Sequence, residues 1–218
     1  MAKSANVERL DTVQAFVTGL LKPLGFRRRG RTYNRTREPG VVQVVNLQSD
    51  KYPIGDQPDF PPMRVNHYGD FTVNLGVHIA EVFEATYDRP APPFVQDYDC
   101  AMRARLGVFL DPPRDRWWPL SAPEAAAEEV VDLLARFGEP LLARFDTRRA
   151  IIEEWLTTST FRSSRERLDI AIMLARRGET SAGLDLIDEH LRQRGGREDS
   201  HARYVRELAK RMAAGEFL

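Results

Sequence analysis

The sequence predicts an α+β protein, an N-terminal helix on an antiparallel sheet followed by a helical C-terminal region. Three observations carry this. Leu10, Val13, Val17, Leu20 and Leu24 recur at three- and four-residue spacing, the period of an amphipathic helix. Residues Phe71 to Ile79 alternate strictly, with Phe71, Val73, Leu75, Val77 and Ile79 on one face and Thr72, Asn74, Gly76 and His78 on the other, as in a strand. Beyond Ser121, helical periodicity punctuated by Gly138, Gly178, Gly195 and Gly196 replaces the strand pattern.

Taken in order, an Asn6 cap opens the first helix, and Pro23 and Gly25 close it. Phe26 to Arg37, with its arginines, Thr32 and Tyr33, reads as one strand, which Pro39-Gly40 turns into a second over Val41 to Gln48, giving a hairpin. Ser49 to Tyr68 holds Pro53, Pro58, Pro61 and Pro62 and reads as a long irregular loop of the kind that often carries function. Pro90 to Pro93 separates the Phe71 to Ile79 strand from Ala101 to Leu110, a strand or a short helix. Ser121-Ala122-Pro123-Glu124 has the spacing of a capping box with proline in the first turn, so a helix carrying Val130, Val131 and Leu134 begins there and is interrupted at Gly138 and Pro140.

Further helices are expected at Ile151 to Leu156, Glu166 to Arg176, Thr180 to Arg194 and Ser200 to Ala213. Leu174-Ala175-Arg176-Arg177 and Leu208-Ala209-Lys210-Arg211 are offset by 34 residues, the period of tetratricopeptide-type hairpins. One such helix pair over residues 164–213 is expected rather than a peptide-binding array, which needs at least three repeats. The expected organisation is a sheet domain over residues 1–120 and a helical region over 121–218 packed on it.

Composition narrows the function classes. The chain has 218 residues, 42% hydrophobic and 29% charged, which excludes a disordered or fibrous protein. Cys100 is the only cysteine, so no disulfide forms within the chain and a reducing compartment is expected. The first residues lack the apolar core of a signal peptide and no apolar run reaches a membrane span, which predicts a cytoplasmic protein without a membrane partner. Thirty-two basic residues balance 32 acidic ones, but unevenly: residues 1–37 hold nine basic against two acidic, and residues 50–99 hold nine acidic against three basic.

Signatures of standard enzymes are missing. There is no Gly-x-x-x-x-Gly-Lys, Gly-x-Gly-x-x-Gly, His-Glu-x-x-His or Gly-x-Ser-x-Gly, which disfavours a nucleotide or zinc enzyme and predicts no cofactor, no metal and no catalytic set. His67, His78 and Asp70 could form a carboxylate-imidazole site, but their spacing is not diagnostic. Trp117-Trp118 reads as a core anchor between the two halves.

Two groups of residues point to binding. If the odd-numbered residues of the strands face the core, Asn46, Gln48, Asn74 and His78 share the opposite face, where amides suit recognition of a carbonyl, a peptide backbone or a base edge. His78 is the titratable member and could act as acid, base or ligand. Arg27, Arg29 and Arg31 on one strand would also share a face, with Tyr33 as a stacking surface, and guanidinium groups there suit carboxylates or phosphates. Overall neutrality disfavours a dedicated nucleic-acid binder. Pairing of the basic and acidic segments, within the chain or across a dimer, is the plainer alternative.

The run Phe16-Val17-Thr18-Gly19-Leu20-Leu21-Lys22-Pro23-Leu24-Gly25-Phe26-Arg27-Arg28-Arg29-Gly30-Arg31-Thr32-Tyr33 resembles the opening of the bacterial domain-of-unknown-function family 4304. So do Val41 to Gln48, ending Asn46-Leu47-Gln48, and Phe71-Thr72-Val73-Asn74-Leu75-Gly76-Val77, and the likeness spans about residues 8–135. The resemblance implies a small cytoplasmic bacterial domain with no established activity, of a kind that sometimes sits beside toxin genes as an immunity-like protein. It transfers no catalytic residue. The leading expectation is therefore a non-enzymatic protein-binding module. The alternatives are an enzyme or small-ligand binder around His78, and weak nucleic-acid binding through the Arg27 to Arg37 hairpin.

Overall fold

The computed structural model describes residues 4–50, 67–157, 161, 163 and 165–217. Most of the proline-rich segment expected to be a functional loop, residues 51–66, lies outside them. The order of elements is helix α1 (Ala5–Leu21), strands β1 (Arg27–Arg29), β2 (Thr32–Glu38), β3 (Val41–Ser49) and β4 (Asp70–Ile79), helix α2 (Ala80–Tyr87), and strands β5 (Met102–Arg105) and β6 (Trp118–Pro119). Helices α3 (Pro123–Leu133), α4 (Glu139–Ala143), α5 (Arg148–Thr157), α6 (Glu166–Arg176), α7 (Thr180–Gln193) and α8 (Ser200–Ala213) follow. The strands form one six-stranded antiparallel sheet in the order β1-β2-β3-β4-β5, with β6 also paired to β4. The α+β class read from the sequence is the observed one.

Local signals explain most boundaries, and the departures have physical causes. Ser4, not Asn6, occupies the N-cap of α1. After Leu21 the chain leaves the helix through Gly25 at φ +88, where a side chain would be strained. The expected single strand over Phe26 to Arg37 is a tight hairpin. Gly30 at φ +61 supplies the left-handed conformation a two-residue turn needs, and Arg29 pairs with Thr32 across it. Ser121 does not cap α3; Ala122 is the N-cap without a side-chain bond, and Pro123 begins the helix, where its missing N–H costs nothing.

Gly138 and Pro140 do not stop the helical path. A π-helical turn spans Leu134–Gly138 and runs into α4, whose first turn tolerates the proline. Residues 101–110 hold both expected alternatives, β5 and then a 3₁₀ turn over Leu106–Phe109. Helix α2 has no counterpart in the sequence reading, because it starts at the residue after β4 without a polar cap.

The chain divides into two compact units, each assembled from three or more stretches of sequence. One comprises residues up to Arg35, Gln43–Gly76 and Ala104–Ala143. In it α1 packs on α3, and Val13, Val17, Phe71, Val73, Leu75, Trp118, Ala127 and Val130 are fully or nearly fully buried. Trp118 is core here, while Trp117 stacks on His67 with ring centroids 4.0 Å apart and the Arg105 guanidinium over its ring.

The second unit comprises Thr36–Val42, Val77–Arg103 and Arg144–Leu218. In it α6 packs on α2, α5, α7 and α8 around Ile151, Trp155, Ile172, Met173, Ile187 and Val205. Helices α6 and α8 begin at Glu166 and Ser200, the spacing of the repeated tetrapeptides. Gly183 lets α7 approach α6 closely, because a Cβ there would lie 2.7 Å from the Ala171 carbonyl oxygen.

Candidate functional site

The β1–β2 hairpin decides where the predicted site residues point. Register pairs Arg27 with Asn34, Arg28 with Tyr33 and Arg29 with Thr32, and residues opposite each other on neighbouring strands share a face. Arg27 and Arg29 therefore lie on the Thr32 face, and Arg28 on the Tyr33 face. Arg31 does not join the first two, because it sits in the turn.

Tyr33 is buried and contributes no stacking surface. Its hydroxyl donates to the Gln14 carbonyl at 3.2 Å and is bonded to Thr18 Oγ1 at 2.8 Å, which anchors β2 to α1. Burial pushes its phenol up. Arg31 serves the same anchor. It pairs with Asp11 at 2.6 Å, donates to Gln14 Oε1, and reaches the Leu10 and Val7 carbonyls at 3.3 Å. Two of the four predicted hairpin residues thus hold the helix rather than face outward.

On the Thr32 face the amides form a connected row. Asn46 Nδ2 donates to Thr32 Oγ1 at 2.9 Å, and Asn74 Nδ2 donates to Asn46 Oδ1 at 3.3 Å and Gln48 Oε1 at 2.9 Å. Asn74 is buried and Asn46 and Gln48 are half-buried. Each of these bonds takes one of the two lone pairs on the Asn46 and Gln48 oxygens. Still unspent are N–H groups, two on Gln48 and one on Asn46. Burial of polar strand residues on this face is satisfied in the same local way at Thr72, which donates to the Arg116 carbonyl at 2.8 Å.

Arg27, Arg28 and Arg29 continue that chemistry at the exposed edge. All three are exposed, and among the described residues none has a carboxylate partner. Several arginines elsewhere in the same unit are spent on ion pairs. Arg35 makes a bidentate pair with Glu139 at 2.9 Å and donates to Gln43 at 2.8 Å, and Arg105 pairs with Asp115. The Arg35 pair was not foreseen from sequence, where its partner lies 104 residues away.

His78 belongs to the second unit and is 1% exposed. Its Nδ1 bonds the Asp99 carbonyl at 2.8 Å, which only an N–H can do, so Nε2 carries the lone pair. Burial lowers its basicity. The clefts beside Cys100 and Phe83, beside Glu81 and Arg148, and beside Val7 and Tyr68 have neither His78 nor Asn46, Gln48 or Asn74 among their described lining residues. His67 Nδ1 lies 3.8 Å from Asp70, and no group of three or more metal-ligating side chains occurs among the described residues. Cys100 is buried, which pushes its thiol well above its usual range, away from the nucleophilic thiolate. Among the described residues no helix is long and apolar enough to cross a membrane.

A family model described as a domain of unknown function, DUF4304, matches residues 17–144, more than half of the chain. The matched stretch contains the hairpin, the amide row and α3. No curated protein and no solved structure matches the chain.

Proposed function

The chain belongs to the DUF4304 family of domains of unknown function, and from that premise we propose that it is a non-enzymatic protein-binding module that uses the Thr32 face of its sheet. The single observation behind this reading is the run Arg27 to Arg29. Three consecutive arginines on an edge strand have no carboxylate partner among the described residues, in a unit whose other arginines include several spent on ion pairs. Arg27 and Arg29 adjoin a row of amides with unspent donors.

The contact is made by side chains. In a two-residue hairpin the closing pair exchanges its main-chain hydrogen bonds, so within β1 only Arg28 turns its N–H and C=O to the open edge. One residue is too short a template for strand addition, the device by which many edges bind peptides. An immunity-like role is the specific form of this reading, with a toxin as the partner and the cytoplasm as the compartment. Finding a toxin gene next to the coding gene would support that form.

The test is co-purification from the native host. The wild-type chain and the Arg192→Glu variant, whose side chain is exposed in α7, recover the same partner, and Arg27→Glu/Arg29→Glu does not. Equal recovery with all three chains removes the face from the function.

A further inference from the structure

Arg27 and Arg29 stand exposed at alternate positions on the Thr32 face, and we infer that this face selects an extended acidic segment of a partner protein, with carboxylates at alternate positions. This rests on the protein-binding reading above and adds the chemistry of the partner.

The inference follows from which atoms remain unspent. Asn46 Oδ1 and Gln48 Oε1 each accept one bond from Asn74 Nδ2, and Thr32 Oγ1 accepts one from Asn46 Nδ2. The donors left at the accessible rim are the guanidinium N–H groups of Arg27 and Arg29, the Gln48 amide nitrogen and one N–H of Asn46. Asn74, which holds the oxygens, is buried beneath them. Two exposed guanidinium charges beside these amide donors favour a ligand that brings acceptors and negative charge.

Spacing narrows the ligand further. Arg27 and Arg29 are two residues apart on one strand, about 6.7 Å between Cα atoms. An extended chain repeats its side chains on one face at that same interval, so carboxylates at positions i and i+2 can each meet a guanidinium bidentately. Main-chain carbonyls of the same segment then reach the donors of Asn46 and Gln48. A phosphate backbone is also an anionic acceptor, but it lacks that pairing of alternate carboxylates with carbonyls, and the chain as a whole carries no net positive charge to hold nucleic acid.

Side-chain N–H signals of the full-length protein are followed by NMR while three probes are added at low salt: acetyl-(Glu-Thr)4-amide, acetyl-(Gln-Thr)4-amide and an eight-residue oligodeoxythymidine. The glutamate peptide is expected to shift the Arg27, Arg29, Asn46 and Gln48 signals, at least tenfold more tightly than the glutamine peptide. Arg27→Glu/Arg29→Glu abolishes the shifts, and Gln48→Glu weakens them severalfold. Equal binding of the glutamine peptide overturns the acidic assignment while leaving protein binding intact. Tighter binding of the oligonucleotide, or self-association of the free protein that the double variant abolishes, assigns the face to another occupant and overturns the proposal. No shift from any peptide overturns it as well, and co-purification then decides whether the broader reading falls too.

Discussion

Asp169, in the first turn of α6, is 2% exposed, and burial holds its carboxyl up to about 6 despite a bond from Ser163. Arg165 approaches its other oxygen at 3.6 Å, close enough to attract but too far for a hydrogen bond, so it offsets only part of the burial. An unfolded Asp releases its proton near pH 4, so between that value and about 6 the folded state binds the extra proton. Stability therefore falls as pH rises through this window, and the loss persists at neutrality. Asp169→Asn removes it: urea unfolding at pH 7 is expected to show a gain on the order of 2 kcal/mol that shrinks to nothing near pH 4. No gain at pH 7 contradicts the assignment.

His190, which meets His201, carries the opposite dependence. Their Nε2 atoms are 2.9 Å apart and their ring centroids 5.2 Å apart, so the rings meet head-on, one N–H donating to the other's lone pair. That bond needs one neutral ring to accept it. Burial, then His201, Arg194 and Arg167, lower the basicity of His190, so the unfolded chain binds more protons and stability falls as pH drops below about 6.5. In an Asp169→Asn background, unfolding midpoints measured from pH 8 to pH 5.5 are expected to decline, and His190→Gln flattens the decline. His78, also lowered by burial, adds a residual slope of the same sign.

At the scale of elements, two glycines in tight turns separate conformational from packing demands. Gly30 has φ +61, and a Cβ there would meet nothing within 4 Å. Gly40 has φ +84, and its Cβ would lie 2.6 Å from the Arg148 guanidinium. Gly30→Ala should therefore cost about 1 to 2 kcal/mol, the price of the left-handed conformation alone. Gly40→Ala should cost clearly more, because Arg148 cannot yield. It is held by Glu81 at 2.6 and 2.7 Å, by Glu38 at 2.9 Å and by the Pro39 carbonyl at 2.8 Å. Arg148→Met leaves the buried Glu81 without its partner and should destabilise by roughly 3 to 5 kcal/mol. Thermal denaturation of the three variants checks both the order and the sizes.

These same elements show how much was legible. Strand β4 and helices α6 and α8 are read correctly because their periodicity is uninterrupted, with Gly69 before the strand, Asp199 capping α8 and glycine just beyond both helices. The hairpin at Gly30 was missed because arginines give no alternation of apolar residues to mark a strand end. Helix α2 was missed because no breaker separates it from β4. The amide row was legible as a shared face, since side-chain parity in a strand follows from sequence alone. Neither the burial of Asn74 and Tyr33 nor the capture of Arg31 by α1 was legible, because each depends on a partner distant in sequence.

For the molecule as a whole, neutrality is a sum over segments of opposite sign, and the structure sorts the charges further. Much of the arginine in the basic N-terminal segment is neutralised internally, Arg31 by Asp11, Arg35 by Glu139 and Arg37 by Asp146. Among the described residues, Arg27, Arg28 and Arg29 of β1 lie together without carboxylate partners, inside the stretch that the family model matches. Association with an acidic partner should consequently weaken as salt rises, because exposed charges more than about 10 Å apart are screened at 0.1 M and contact pairs are weakened as well.

The most direct test of the central claim is the equilibrium dissociation constant of the partner recovered from the host, measured for the wild type and for Arg27→Glu/Arg29→Glu at fixed salt. A loss of tenfold or more, with unchanged thermal stability, is the predicted result. An unchanged constant in a folded variant contradicts the claim that this face binds the partner.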